Sequence, residues 1–390
     1  MVKFCVSWCY MKRSIDLNER LLVPHDCYLI LTSKCNMRCK HCYGDYGFCK
    51  SKNELTGTEW DLVFEDLSKN NVFFVNISGG EPTIHPDFND IIKSLVKHNL
   101  YFVLTTNAVF GSNILDTICL AKEYIVGLKI SLDGHNSDVH GFLRRDINGK
   151  MNDAFFSITV DNINKLKDKG VPFSIATCLH RGNFDKMLEM LSFIKILKPV
   201  SWYISTISVD GRSVKNSDIF ASETEVDMSV WKCIIEECER ENIYVKFVDM
   251  PYVNNVHNRK DFVYSCPAAK LFCEINSDGK VSPCPLARIN IPSNIIKFDN
   301  IRDKSIKEIW QGDAFNRFLT LSADGCDGCK LKEKCGRCIP QSFSWFGSHN
   351  KPTPFCIQHG DELGLSNLEN LKLLLKENAV RLNREVCLDE

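Results

Sequence analysis

No stretch of the sequence is apolar over the roughly 18 residues that a membrane span needs; the densest apolar segments, such as 72–77, have the length of a strand. A secretion signal is missing too, because Lys3, Lys12 and Arg13 interrupt any apolar core near the start. Charge of one sign is not in excess: 48 basic and 49 acidic residues leave a formal charge of −1. No overall field therefore draws the chain to nucleic acid or to an anionic membrane. There is no low-complexity tract and no repeat of roughly 20–50 residues. These absences lead to the expectation of a cytoplasmic globular protein with neither nucleic acid nor membrane as partner. At 390 residues, 44% of them hydrophobic, the chain can fill two or three cores.

What the sequence has in quantity is cysteine, 20 in all. Thiols stay reduced in the cytoplasm, so clustered cysteines there point to metal or redox chemistry rather than to disulfides.

From residue 26 to about 210, short β-rich runs at 27–32, 72–78, 101–106, 125–132, 172–178 and 202–208 alternate with amphipathic stretches at 58–69, 86–99, 112–122, 152–169 and 183–197. Thr56, Asn113 and Asn183 supply cap-type residues. Six β/α repeats imply a parallel sheet with every strand C-terminus on one edge, where β/α architectures bind ligands. A helix near 224–240 and a strand near 244–248 follow, after which turns dominate 251–360. Leu363, Leu365, Leu368, Leu371, Leu374 and Leu375 mark a C-terminal helix that docks on the body.

Directly after the first run stands Cys35-Asn36-Met37-Arg38-Cys39-Lys40-His41-Cys42, a C-x3-C-x2-C spacing that chance places rarely at this cysteine content. Three thiolates can hold three irons of a four-iron cluster and leave the fourth open, whereas a structural cluster is closed by a fourth ligand. An open metal position is a position for chemistry. Ser78-Gly79-Gly80-Glu81-Pro82 ends the second run, Thr105-Thr106-Asn107 the third, and Ser131-Leu132-Asp133-Gly134 the fourth, with Arg144 beyond.

In these motifs and their order the chain resembles the radical SAM superfamily. The resemblance implies an α/β fold, a partial (β/α)6 TIM-like barrel, that cleaves S-adenosylmethionine to a 5′-deoxyadenosyl radical. It implies Cys35, Cys39 and Cys42 as cluster ligands, and His41 beside the adenine. Gly79, Gly80 and Glu81 would hold the methionine amino group, while Ser131 and Arg144 would bind its carboxylate, with Thr106 and Asn107 lining the pocket. An Arg fork suits a carboxylate, and Arg145 is the alternative.

Cys266-x12-Gly279-x4-Cys284, then Cys326-x2-Cys329-x5-Cys335-x2-Cys338, then Cys356 resembles the SPASM extension, with two residues where three are usual before Cys338. The resemblance implies auxiliary cluster I on Cys266, Cys273, Cys284 and Cys338, and auxiliary cluster II on Cys326, Cys329, Cys335 and Cys356. The cofactors are then three 4Fe-4S clusters and S-adenosylmethionine, with a reductant such as flavodoxin or ferredoxin. Structural zinc is the competing reading of the C-x2-C pairs. The expected organisation is an N-terminal extension 1–25, a radical SAM core 26–250, a cysteine-rich SPASM domain 251–360 and a helical tail 361–390.

Nine cysteines remain: Cys5, Cys9, Cys27, Cys49, Cys119, Cys178, Cys233, Cys238 and Cys387. Most read as small core residues. Cys178 ends the fifth run at the reactive edge, where a thiol can return a hydrogen atom to a substrate radical. Asp210, Asp249 and His180 are candidate proton acceptors. Sulfatase-maturing relatives carry an acid where this chain has Pro285, which weighs against formylglycine formation. The expected activity is modification of a peptide by cross-linking, thioether formation, epimerisation or oxidation. Only about 25 residues precede the first strand, too few for a recognition domain, so a peptide needs a separate recognition protein or direct capture by the barrel. Dehydrogenation or epimerisation of a small molecule such as an amino sugar is the alternative, and an iron-sulfur electron carrier or redox sensor the non-enzymatic one.

Overall fold

The computed structural model of the chain describes residues 20–47, 53–72, 74–248, 250, 253, 266–321, 326–330, 338–358 and 360–382. Cys5, Cys9, Cys49, Asp249, Cys335 and Cys387 lie outside the described residues. The chain divides into two compact units, one of Leu29–Ser68 and Phe73–Lys260, the other of Met1–Tyr28, Lys69–Val72 and Asp261–Glu390.

The first unit is built on strands β1 (Asp26–Ile30), of which Leu29 and Ile30 belong to this unit, β2 (Phe74–Ser78), β3 (Tyr101–Thr106), β4 (Ile125–Ser131), β5 (Ser174–Cys178), β6 (Ser201–Ser205) and β7 (Tyr244–Val248). They lie side by side in sequence order, and β2 to β7 pair in parallel throughout. β7 adds a seventh strand to the six repeats expected. It does not neighbour β1, so the sheet stays open as a partial barrel.

Helices α1 (Gly57–Lys69), α2 (Phe88–Lys97), α3 (Ser112–Leu120), α4 (Ser137–Leu143), α5 (Asp153–Asp168), α6 (Met187–Leu197) and α7 (Met228–Arg240) make the returns. α1 starts where the sequence signals it. Thr56 Oγ1 accepts from Glu59 N at 3.2 Å while the Glu59 carboxylate accepts from Thr56 N at 2.8 Å, and the helix buries Trp60, Val63, Phe64 and Leu67. Along the strands, Leu128, Ile130, Ile175, Trp202 and Ile204 are buried on one face. Gly127, Lys129, Ser131, Ala176, Cys178, Tyr203, Ser205 and Lys246 alternate with that row on the opposite, half-buried face. Parallel sheets are ordinarily covered on both faces, so this polar row marks the open side of the barrel.

The second unit holds the antiparallel pair β8 (Phe272–Ile275) and β9 (Val281–Ser282), then α8 (Pro285–Asn290), α9 (Ile306–Gln311), α10 (Asp313–Thr320), α11 (Ile339–Phe346), α12 (Pro354–Gln358), α13 (Gly360–Leu363) and α14 (Leu368–Leu382). α14 packs on α11 and α12 and buries Leu368, Leu371 and Leu375, which is the docking role expected of the leucine-rich tail. Among the described residues no helix is long and apolar enough to cross a membrane.

Candidate active site

The three motif cysteines sit on the loop that leaves β1, at the C-terminal edge of the sheet. Cys35 and Cys39 are buried and Cys42 is half-buried, packed with Ile30, Met37, Tyr43 and Tyr46. Met37 N donates to Cys35 Sγ and Tyr46 N to Cys42 Sγ, each at 3.4 Å. Burial first, then the neighbouring thiol of Cys39, pushes the Cys35 thiol up. Such thiols ionise when a cation is present to take the charge, and N–H donors to sulfur tune a cluster bound there. Three sulfurs with backbone donors on one buried loop are a donor set that fits an iron-sulfur cluster. Among the described residues no three His, Cys, Asp or Glu side chains converge as a single metal ion would need.

The loop is locked from three sides. From β2, Gly80 N donates to Thr32 O at 2.8 Å and Glu81 N to Lys34 O at 2.9 Å. A Cβ on Gly80 would strike the Lys34 carbonyl, and one on Gly79 (φ +145°) would lie 2.5 Å from Thr32 O. The two glycines are thus required by close packing against the cysteine loop. From β3, Asn107 Nδ2 donates to Asn36 Oδ1 at 2.8 Å. Glu81 joins these two sides: its buried carboxylate accepts from Thr83 Oγ1 and Thr106 Oγ1, each at 2.7 Å, and from Asn107 N at 2.8 Å.

The third lock is Arg212, beyond β6. Its buried guanidinium donates to Cys39 O at 2.8 Å and to Tyr46 O and pairs with Asp45 at 3.1 Å, while its own N donates to Cys42 O at 2.9 Å. An Arg separated by 173 positions from its loop partner carries no local signal. The neighbouring candidate base, Asp210, is buried and its carboxylate accepts from Ser208 Oγ at 2.6 Å, within the same turn.

Beside the loop lies a buried ion pair, Arg144 Nε to Asp133 Oδ2 at 2.7 Å. Asp133 is fully buried, and its other oxygen accepts from Cys178 N at 2.8 Å. Burial alone would raise the Asp133 carboxyl; Arg144, His41, His140 and His180 outweigh it and hold the group well below the usual carboxylate range. Arg145, the alternative to Arg144, donates instead to Phe142 O at 3.2 Å. Among the described residues His41 Nδ1 and His140 Nε2 are buried without a hydrogen-bond partner, and burial lowers the two imidazoles to about 4 and about 3. His180 is spent structurally, its Nε2 3.1 Å from Asp133 O. Cys178 ends β5 on the open face, 3.7 Å from Ser205 Oγ, with its thiol pushed up to about 12 by burial and then by Asp133. It therefore keeps its proton at neutral pH.

In the second unit, burial and then the thiols of Cys266 and Cys338 raise the Cys284 thiol. Cys284 caps α8, its Sγ accepting from Ala287 N at 3.3 Å, and Pro285 occupies the first helical position, where a missing N–H costs nothing. Glu274 turns toward Arg288, at 2.6 Å, so the pleat directs Cys273 to the other face of β8, where its Sγ lies 3.5 Å from Cys27 Sγ. Cys356 Sγ accepts from Thr353 Oγ1 at 3.2 Å. Cys326 and Cys329 flank a turn in which Lys330 N donates to Leu363 O at 2.8 Å.

Comparison with known proteins agrees with this geometry. The radical SAM superfamily model matches residues 29–194, and the SPASM model, an iron-sulfur cluster-binding domain, matches 266–339. The chain carries a radical SAM domain followed by an SPASM domain. The chain is 23% identical to an AdoMet-dependent heme synthase of Methanosarcina barkeri, over 84% of this chain and 94% of that one. It is 24% identical to a PqqA peptide cyclase of Rhizobium meliloti, over 87% and 88%. Its fold matches Streptococcus suis SuiB bound to S-adenosylmethionine with a TM-score of 0.70 at 17% identity, over 86% of this chain and 78% of SuiB. SuiB has also been solved with its precursor peptide SuiA.

Proposed function

We propose that this radical SAM enzyme abstracts a hydrogen atom from a peptide and thereby modifies it after translation. The observation that carries the reading is a three-thiol loop locked at the strand edge beside the buried Asp133–Arg144 pair. Cys35, Cys39 and Cys42 would hold the site-differentiated cluster. Gly79, Gly80, Thr106, Asn107, Ser131 and Arg144 would seat S-adenosylmethionine, with His41 toward the adenine. Glu81 contributes mainly by tying β2 to β3, since its carboxylate is already bonded to protein donors. Cys266, Cys284 and Cys338 would hold auxiliary cluster I, and Cys326, Cys329, Cys335 and Cys356 auxiliary cluster II. When bound, reduced cluster and S-adenosylmethionine supply the 5′-deoxyadenosyl radical.

A peptide substrate is favoured by similarity to a peptide cyclase and by the fold shared with a protein solved with its precursor peptide. The heme synthase similarity favours, as second reading, a small-molecule substrate. Cys178, protonated and on the open face, supports hydrogen return as in an epimerase. A ferredoxin or flavodoxin in a reducing cytoplasm would supply electrons. The test is anaerobic incubation of reconstituted protein with dithionite and S-adenosylmethionine. Formation of 5′-deoxyadenosine, lost in Cys39→Ala, is expected; its absence from wild type would leave an electron carrier.

A further inference from the structure

We infer that Lys129, on the open face of the sheet, binds a carboxylate of the peptide substrate. Strands β2 to β7 contain no Asp or Glu, yet two of them carry a lysine on the same row as Ser131 and Cys178: Lys129 on β4 and Lys246 on β7. The register sets Lys129 opposite Ser174, Ser174 opposite Ser201 and Ser201 opposite Tyr244, so Lys246, opposite Tyr203, lies two residues nearer the C-terminal edge of the sheet. Lys129 is half-buried, two residues below the end of the strand whose tip carries Ser131.

Its ammonium lies 4.5 Å from the centre of the Tyr203 ring, and among the described residues it makes no ion pair. A ring face covers one side of an ammonium that has three donors. An interior lysine without a carboxylate is costly, and ordinary cores avoid it. Burial, followed by Lys246, brings its pKa down to about 8. An incoming carboxylate would complete the set, with Tyr203 as the wall behind it. Because the row runs from Lys129 to Ser131 and Cys178, such an anchor would hold the substrate on the face where the radical reaction is proposed. The inference rests on the peptide-modifying reading above.

The carboxylate can belong to an acidic side chain or to a chain terminus. Three pools of hexapeptides, all N-acetylated and matched in composition, separate these sources: glutamate-containing amides, glutamine-containing amides, and glutamine-containing free acids. Retention of each pool is measured on anaerobically reconstituted holoenzyme with S-adenosylmethionine. At least one acidic pool should be retained about tenfold over the neutral amides, and Lys129→Met should abolish the preference while Lys129→Arg keeps it. Equal retention of all three pools by wild type overturns the inference, even if Lys129→Met fails to fold. An undiminished preference in folded Lys129→Met overturns it as well. The same holoenzyme is assayed for 5′-deoxyadenosine. If none forms, the proposed function fails; if it forms without carboxylate preference, only this inference does.

Discussion

Arg212 shows how one residue can govern a cluster loop without touching a sulfur. Its guanidinium satisfies carbonyls of Cys39 and Tyr46 inside the protein. Arg212→Gln should leave them short of donors at a cost of about 2–3 kcal/mol, read as a lower denaturation midpoint and as about four fewer irons per chain. Arg212→Lys should lose less. His140 makes a pH prediction. Burial holds its folded pKa at about 3, below the ordinary 6.5, so between these values the unfolded chain binds more protons than the native one. Stability should therefore rise with pH through that window and fall on acidification, and His140→Asn should flatten the slope of melting temperature against pH. Neither role was legible in sequence, because each depends on groups far away in the chain. The thiol motif was legible because its three sulfurs share eight consecutive residues.

At the scale of elements, the strands and most helices followed from periodicity and caps, as the Thr56–Glu59 box of α1 illustrates. The start of α6 did not. Asn183 resembles a cap, but its Oδ1 accepts from His180 N at 2.7 Å and its Nδ2 donates to Asp133 O and Cys178 O. The helix consequently begins at Met187. Tertiary hydrogen bonds outbid the local cap, as Asn side chains readily allow. α4, only seven residues long, is too short to show a helical period in the sequence. The turn after β2 makes the sharpest element-level prediction. Gly80→Ala must move the Lys34 carbonyl, so it should lose the iron of the first cluster while far-ultraviolet circular dichroism stays close to wild type.

For the whole molecule, the three proposed clusters predict about twelve irons per chain in anaerobically prepared protein. Cys284→Ala should remove about four of them. Cys273→Ala should keep nearly all, since Cys273 packs with Cys27; a four-iron loss in that variant would restore Cys273 as a ligand. Sequence by itself determined the kind of chemistry and the edge at which it occurs: cysteine spacing is local, and alternating β/α patterns put every strand terminus on one side. Tertiary structure alone decided which face of β8 Cys273 occupies, that Arg212 closes the cysteine loop, that Asp133 gathers Arg144 and three histidines, and that Lys129 meets Tyr203. These outcomes depend on strand register and long-range packing, which bring together groups whose separation along the chain leaves no pattern to read.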